Sequence, residues 1–436
     1  MKKIILIVFC LLSVKAYAAP GDTTWITAIN QEFHNWADIH YTNVALPDTG
    51  RHFQKILMTY TIGCPAAGCD PYDRFAWIRL YQDTISNIFE IARMITPFNI
   101  VGGGYPGTCT FNFDVTDYMP ILHDTVKLGS FIETYINGTH GWLVTVKFAF
   151  IEGELEYKPF KIINLWRNDY IVYGDTANPP ENYLQPRSVF IDPQTVIVKA
   201  RSFTTGHGQG NTGNAAEFSP KQHSFVVNGD TASHSLWRLQ CSSNPCSPQG
   251  GTWQFSRTGW CPGSGVIPWD VDFTSSVIPG QNSTVDYTIE AYTNFCRPTN
   301  PNCINGVTCA DCNYNSTGHT EPNWKVSCQL ILYKHVNVIG IHGISNSTPS
   351  SFSLAQNYPN PFNPSTKINF AIEVNTHVRI VVYDIRGKAV VTLVDRDMHS
   401  GDYSFDFDGT NLPSGIYYYK MEAKNFSDVK KMALIK

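Results

Sequence analysis

Strand-length apolar runs separated by Gly, Pro and Asn are the feature that most limits how this chain can fold. Some alternate between apolar and polar residues and others are continuous, as in KILMTYTI, RFAWIRLY, CTFNFDV and WLVTVKFAFIEGELEY and, further on, QTVIVKARSF, HSFVVNG and STVDYTIEAYTNF. Alternation with a period of two indicates half-buried strands, and helical periodicity is confined to short segments such as VTDYMPILH. The sequence therefore predicts an all-β fold.

The length of 436 residues suggests several domains. We predict two packed antiparallel sandwiches, over residues 20–157 and 158–343, joined near Glu154–Pro159. The first twenty residues, MKKIILIVFCLLSVKAYAAP, have a basic start, a short apolar core and a small-residue ending. This anatomy predicts a signal peptide over residues 1–19 that exports a mature protein without a membrane span.

The tail beyond Cys328 contains no cysteine, which marks a change in composition. Short strand-like runs with Gly, Asp and Asn turns predict a small β-sandwich over residues 349–436. The motifs QNYPNPFNPST, VYDIRG, LPSGIYYYKM and the terminal KKMALIK resemble the C-terminal sorting domain of type IX secretion cargo. The resemblance implies partnership with that machinery and a secreted or cell-surface destination, whereas an ordinary accessory module would leave KKMALIK unexplained.

Charge and histidine spacing limit the possible partners. The formal net charge is -4 and only 16% of residues are charged, so the chain lacks the basic field of a nucleic-acid-binding protein. The histidines form no His-x-His or His-His pair, so we expect no metal site and no cofactor.

Eleven cysteines follow the signal segment, and in an exported chain they predict disulfides with one thiol left over. We expect Cys64 to bond Cys69 across a short loop, and Cys241 to bond Cys261. In the insertion that begins CRPTNPNC we expect Cys296 to bond Cys328, with Cys303 bonded to Cys309 or Cys312. A zinc knuckle on the insertion is the alternative.

Four segments carry side chains that could do chemistry. In CPAAGCDPYDRFAW, Asp70 suits a turn beside Pro71, while Asp73 and Arg74 fall at the start of a strand and could be either catalytic or ordinary surface charges. Glu133 lies in the middle of the apolar run SFIETYI, where a carboxylate must be paired, solvent-facing or functional. The glycine-rich segment TTGHGQGNTGNAAEF and the segment SRTGWCPG add the remaining candidates, which are His207, Glu217, Phe218, Arg257 and Trp260.

Taken in order, CDPYDR, FEIARMITPF, FNFDVTDY, FIETYI, AAEF and SRTGWCPG resemble the peptide-N-glycosidase F family, over about Ile56 to Lys334. The resemblance implies two eight-stranded jelly rolls packed side by side, with the site in the cleft between them. It implies catalytic roles for Asp73, Glu217 and Glu133, and substrate-binding roles for Arg74, Tyr135, His207, Phe218, Arg257 and Trp260. Ala215 and Ser219 replace two cysteines that flank the family's second glutamate, so we expect a looser loop around Glu217.

The activity implied by the resemblance is hydrolysis of the amide that joins asparagine to the innermost N-acetylglucosamine of an N-glycan. The substrate would be a glycoprotein or glycopeptide, and we expect a monomer. Which of Asp73 and Glu217 is the base stays open on sequence alone. The alternatives are a glycan-binding protein without activity and a copper monooxygenase, for which the required grouped His and Met ligands are missing.

Overall fold

A computed structural model describes residues 21–83, 87–98, 105–296, 302, 312, 321–336, 340–345, 349–398 and 400–436. The predicted signal segment 1–19 lies outside these residues. The described chain forms two compact units, residues 21–336 and 337–436. No helix in the described ranges is long and apolar enough to cross a membrane.

The regular secondary structure of the first unit is almost entirely β-strand, which confirms the all-β prediction. In chain order they are β1 (Thr23–His34), β2 (Ile39–Ala45), β3 (Phe53–Gly63), β4 (Phe75–Tyr81), β5 (Ile88–Ile95), β6 (Thr108–Asp114), β7 (Thr125–Ile132), β8 (Trp142–Glu152), β9 (Tyr157–Val172), β10 (Arg187–Phe190), β11 (Ile197–His207), β12 (Gln222–Val227), β13 (Asp230–Ser235), β14 (Trp237–Arg238), β15 (Arg257–Thr258), β16 (Ser264–Gly265), β17 (Trp269–Asp272), β18 (Asn282–Ile289) and β19 (Asn323–His335). Short 3-10 helices occupy Thr116–Tyr118, Pro180–Asn182, Thr212–Asn214 and Thr274–Ser276. The first of these is all that forms within VTDYMPILH.

The N-terminal sandwich packs the sheet β1-β8-β3-β6 against the sheet β16-β5-β4-β7-β2. Strand β3 shows why: Ile56, Met58, Tyr60 and Ile62 are fully buried and alternate with residues that are only partly buried. Period-two alternation places these four side chains on one face of the sheet, where they form the core. The pairing is antiparallel throughout, as predicted.

The C-terminal sandwich consists of the sheets β10-β18-β12-β13 and β17-β11-β19-β9. Strand β19 is buried along nearly its whole length. Ile331 and Tyr333 belong to the core of the N-terminal sandwich, whereas Leu330 and Leu332 belong to the core of the C-terminal one. Because successive side chains point to opposite faces, β19 is a shared wall between the two sandwiches.

Two further links join the sandwiches. The two residues of β16, Ser264 and Gly265, pair with Ile95 and Met94 of β5, so a piece of the C-terminal half extends a sheet of the N-terminal half. A disulfide connects Cys109 on β6 to Cys246. Together with β19, these links hold the edges of the cleft in a fixed relation.

The second unit is also a β-sandwich. Its strands are β20 (Gly340–Ser345), β21 (Ser353–Leu354), β22 (Ser365–Ile372), β23 (Thr376–Asp384), β24 (Ala389–Met398), β25 (Gly401–Asp408), β26 (Gly415–Ala423) and β27 (Phe426–Leu434). They form the sheets β20-β25-β22-β21 and β24-β23-β26-β27, which enclose their own apolar core.

Candidate active site

The segment that carries Asp73 is fixed by a disulfide and by a buried carboxylate. Cys64 bonds Cys69, as predicted, and Asp70 directly after the bridge is fully buried. One Asp70 oxygen accepts from the Tyr72 N–H at 3.0 Å, while the other accepts from Arg74 Nε at 2.7 Å and from Thr134 Oγ1 at 2.5 Å. Asp70 thus fixes the turn and orients Arg74. Asp73 lies just before β4, between Tyr72 and Arg74, and both of these residues are hydrogen-bonded to Asp70.

Removing the charge of Asp70 should loosen this segment. We expect Asp70→Asn to lower the free energy of unfolding by about 2 kcal/mol, because the buried hydrogen bonds to a carboxylate become weaker and Arg74 loses its ion pair. Urea denaturation measures the change. The exposed turn residue Asp48, whose carboxylate accepts only from the Gly50 N–H in the described structure, supplies the matched control Asp48→Asn. Equal effects of the two substitutions would contradict the role of Asp70.

Glu133 and Tyr135 follow the end of β7 rather than lying within a strand. The prediction that Glu133 sits in mid-strand is wrong, because β7 ends at Ile132 and the Glu133 N–H donates to the Phe75 carbonyl at 2.8 Å. The Glu133 carboxylate lies 3.2 Å from Lys325 Nζ, so Glu133 is ion-paired across the cleft. Tyr135 is 53% exposed, and Trp36 contacts its ring edge-on with 5.7 Å between centroids.

Glu217 reaches the site from the C-terminal sandwich. Its Oε2 accepts from the Gly208 N–H at 3.0 Å, and its Oε1 lies 3.4 Å from Arg257 Nε. Backbone contacts hold the loop where the family cysteines are missing: the Thr258 N–H donates to the Glu217 carbonyl, and Thr258 Oγ1 donates to the Ser219 carbonyl at 3.1 Å. The expected looseness of this loop is therefore offset by pairing with β15.

Two glycines permit this close packing. A Cβ on Gly206 would lie 1.9 Å from the Ala216 carbonyl oxygen, and one on Gly259 would lie 2.2 Å from the Thr204 carbonyl oxygen. Gly259 also has a φ of +83°, a conformation that other residues rarely adopt. Glycine in SRTGW therefore lets the chain carrying Arg257 and Trp260 approach β11.

Arg257 and Trp260 form the inner wall of the C-terminal half. Arg257 is buried, donates through Nη1 to the Thr252 and Phe255 carbonyls, and lies 5.1 Å from the ring centroids of both Phe218 and Trp260. The Trp260 indole N–H donates to the Gly206 carbonyl at 2.7 Å. These contacts fix the guanidinium that faces Glu217.

His207, at the end of β11, is held as a neutral imidazole. Its ring stacks on Trp260 with 5.3 Å between centroids, and Nε2 lies 2.9 Å from Thr205 Oγ1. Burial, with the charges of Lys325 and Arg93 nearby, lowers the pKa of His207 well below its usual value. His207 is thus a positioning group at neutral pH rather than a cation.

The two candidate carboxylates have different electrostatic environments. The pKa of Asp73 is raised to about 7, first by burial and then by the charge of Glu217, against the opposing influence of Arg257 and Arg74. Burial also raises the pKa of Glu217, but the Arg257 charge and the Gly208 N–H oppose that shift. The negative charge of Glu217 thus favours the protonated form of Asp73.

The disulfides differ from the prediction in the insertion. Cys241 bonds Cys261 as expected. The bond predicted between Cys296 and Cys328 is wrong, because Cys296 bonds Cys312 and Cys328 is a buried free thiol. Cys328 faces the core from the middle of β19, where burial raises the pKa of its thiol to about 12. The predicted partners Cys303 and Cys309 lie outside the described residues.

Several residues of the candidate active site were not predicted from the sequence. Lys325 pairs with Glu133, Asp70 orients Arg74, and the exposed rings of Tyr72 and Trp36 flank Arg74 and Tyr135. Tyr72 could have been found from its place beside Asp73, whereas Lys325 is separated from Glu133 by nearly two hundred residues of sequence. In the described ranges, no group of three or more His, Cys, Asp or Glu is placed to hold a metal ion.

Comparison with known proteins matches this geometry to a family. Residues 181–330 match the family described as "Peptide-N-glycosidase F, C terminal". This region is therefore similar to the C-terminal domain of peptide-N-glycosidase F. Residues 356–436 match the secretion system C-terminal sorting domain. The two matched families therefore occupy the C-terminal sandwich and the second compact unit.

A curated relative aligns over a longer stretch than the family model does. Peptide-N(4)-(N-acetyl-beta-D-glucosaminyl)asparagine amidase F of Elizabethkingia miricola is 27% identical over 239 residues, which are 53% of this chain and 66% of that protein. The match thus spans slightly less than two thirds of that relative's length.

Solved structures share the fold. PNGase F from Flavobacterium meningosepticum aligns with a TM-score of 0.59 at 22% identity, covering 72% of this chain and 97% of that structure. PNGF-II aligns with a TM-score of 0.54 at 17% identity, covering 72% of this chain and 66% of that structure. The paired jelly-roll architecture expected from the sequence is therefore confirmed as a fold.

Proposed function

We propose that this chain is a secreted peptide-N-glycosidase that hydrolyses the amide between asparagine and the innermost N-acetylglucosamine of N-glycans. The observation that carries the proposal is the meeting of Asp73 and Glu217, one from each sandwich, in a cleft where burial raises the pKa of both and the Glu217 charge acts on Asp73. Two carboxylates whose proton affinities differ can divide the work of accepting and donating protons. The 27% identity to an amidase supports the same activity.

Asp73 acts as the base in the proposed mechanism. A water molecule must attack an unactivated amide carbonyl, so it has to lose a proton, and a carboxylate with a pKa of about 7 is suited to accept one at neutral pH. The departing nitrogen needs a proton, which Asp73 can return once it is protonated. The products are aspartate in the peptide and a glycosylamine.

Glu217 positions the attacking water, and Arg74 stabilises the negative charge that develops on the carbonyl oxygen. Arg74 is paired with Asp70, whereas Glu217 contacts Arg257 and the Gly208 N–H. We therefore assign Glu217 the role of positioning the water, and not that of positioning Arg74. Arg74, next to Asp73, stabilises the negative oxygen that forms at the carbonyl. The inner wall of Arg257 and Trp260 keeps Glu217 in place.

The exposed side of the cleft binds the sugar. Glu133 accepts hydrogen bonds from sugar hydroxyls with one oxygen while Lys325 holds the carboxylate. Tyr135 offers an exposed ring to the apolar face of a pyranose, and Phe218 supplies a second aromatic surface across the cleft. We therefore propose a binding role for Glu133 in place of the catalytic role expected from the sequence, and keep the binding roles expected for Tyr135 and Phe218. His207 stacks on Trp260 and supports it.

The proposal also covers the export of the chain and its division into domains. We propose that residues 1–19 are a removed signal peptide, that 20–157 and 158–336 are the two halves of a monomeric amidase, and that 349–436 address the chain to the type IX secretion machinery. The bound predicted at residue 343 moves to 336 because strand β20 pairs with β25 of the second unit. The match of residues 356–436 to a sorting domain supports the secreted or cell-surface location. The partners are then N-glycosylated proteins and the secretion machinery.

The pH dependence of the activity follows from the raised pKa of Asp73. A base must be ionised, so kcat/KM for a neutral glycopeptide should fall about tenfold per pH unit below a pKa of about 7 and level off above it. Initial rates between about pH 5 and pH 9 measure the profile. A profile that is flat through pH 7, with the protein folded throughout, would show that Asp73 does not serve as the base.

The activity is tested by incubating the full chain with an N-glycopeptide and separating the products. Release of the intact glycan, with the chitobiose on the glycan side, supports the amidase. Binding of the glycopeptide without release would instead identify a glycan-binding protein on the same scaffold. Cleavage that needs added copper and a reductant would identify a monooxygenase.

A further inference from the structure

A second cavity lies between the sandwiches and does not include the candidate active site. Its volume is about 620 Å³, and neither Asp73 nor Glu217 lines it. Its walls come from β5, β6, β11, β14 and the segment 264–268. Phe203 and Val266 in these walls also belong to the apolar cluster that contains Phe75 and Trp260. That cluster therefore separates the cavity from the cleft.

Arg238 gives this cavity an unpaired positive charge. It lies on β14 directly across from Arg257 on β15. Arg257 bonds Glu217, whereas no acceptor in the described ranges bonds Arg238, and Arg238 Nη1 is buried away from solvent. Burial lowers the pKa of Arg238. Arg238 as a whole is half-buried and lines the cavity, so the accessible part of its guanidinium can bind an anion there.

The other charges of the cavity are already neutralised within the protein. Arg201 donates to Asp117 and to Asp270, each at 2.6 Å. Asp114 accepts from Thr116 and lies 3.5 Å from Lys55. Arg238 is thus the group that an entering ligand would meet uncompensated.

The rest of the cavity wall contains both polar and apolar side chains. Asn112 exposes a side-chain amide, while Phe113 and the 69% exposed Ile267 offer apolar surface. A pyranose has the matching pattern of hydroxyl groups and apolar C–H faces, and a carboxylate on it would pair with a guanidinium. We propose that this cavity binds an acidic monosaccharide, with its carboxylate on Arg238.

This second site goes beyond the proposed amidase activity and does not depend on it. The acidic sugar could be free or could end an antenna of a glycoprotein. In the latter case the cavity would hold a substrate by a point distant from the amide, which raises the local concentration of that substrate at the cleft.

Titration calorimetry of the full chain with free N-acetylneuraminic acid tests the site. We expect saturable binding to the wild type, at least about tenfold weaker binding to Arg238→Gln, and undiminished binding in the presence of excess neutral N-acetylglucosamine, which lacks the carboxylate that Arg238 would bind. The exposed Arg187 on β10 supplies the control Arg187→Gln, which should bind like the wild type. Asn112→Asp adds a negative charge to the exposed wall and should weaken binding without disturbing the core.

Unchanged binding to both Arg238→Gln and Asn112→Asp would overturn the proposal, as would no binding to the wild type. Immobilised Asp73→Asn chain, offered a sialylated glycoprotein and its sialidase-treated form, separates the two sources. Preference for the sialylated form identifies a glycan antenna as the ligand, and equal capture with retained binding of the free acid identifies the free sugar. Because the calorimetry requires no hydrolysis, its outcome is independent of the amidase test.

Discussion

Replacing Asp73 by asparagine is expected to lower kcat for N-glycan release at least about a thousandfold, the range lost when a general base is removed. Asparagine matches the shape of aspartate but cannot accept the proton of the attacking water at neutral pH. The proton on Asp73 is held near a pKa of about 7 by burial and by Glu217, so the environment that makes it a base belongs to this position. The assay is release of N-glycans from a denatured glycoprotein.

The control for this loss is a matched substitution at a distant aspartate. Asp48→Asn makes the same chemical change in an exposed turn and should leave the rate unchanged. Circular dichroism of both variants confirms that they fold. Full activity in a folded Asp73→Asn variant would remove Asp73 from the catalytic machinery.

Replacing Glu90 by glutamine is expected to destabilise the protein by about 3 to 5 kcal/mol, the cost of breaking a buried ion pair by removing one partner. Glu90 is fully buried on β5, where it accepts from Arg93 Nε at 2.5 Å and from Arg79 Nη2 at 2.8 Å. Arg93 continues across the cleft to the Lys325 carbonyl at 2.7 Å and to Thr205 Oγ1 at 3.1 Å. Glu90 therefore neutralises the charges that join the two sandwiches beneath the site.

The same network supplies its own control. Asp169 also pairs with Arg79, but its side chain is 45% exposed, so Asp169→Asn should cost no more than about 1 kcal/mol. Urea denaturation of both variants measures the difference. Equal costs would mean that burial of Glu90 contributes nothing to the linkage between the sandwiches.

The sequence predicts the strands of this protein well because their signal is local. Alternation along β3 marks its buried face without reference to any other strand. The start of β4 at Phe75, directly after Asp73 and Arg74, also follows from the change to an apolar run. Glu133 was misplaced within a strand because Thr134 continues the alternation after β7 has ended.

Long-range contacts account for most of what the sequence does not reveal. The Cys64–Cys69 and Cys241–Cys261 bonds span 5 and 20 positions and were predicted, whereas the Cys109–Cys246 bond spans 137 and was not. From its proline neighbour, Asp70 is predicted as a turn residue. Its hydrogen bond from Thr134 depends on the tertiary structure, which places the segment after β7 beside that turn. The site is thus a product of sandwich packing more than of any single motif.

The most direct test of the central claim is the mass of the peptide freed by the full chain in water enriched in oxygen-18. Hydrolysis of the asparagine side-chain amide leaves aspartate, so the peptide should be about 1 Da heavier than its asparagine form in ordinary water and about 3 Da heavier in labelled water. No metal is added. A freed peptide that still carries asparagine, or that retains one N-acetylglucosamine, would contradict amide hydrolysis by this protein.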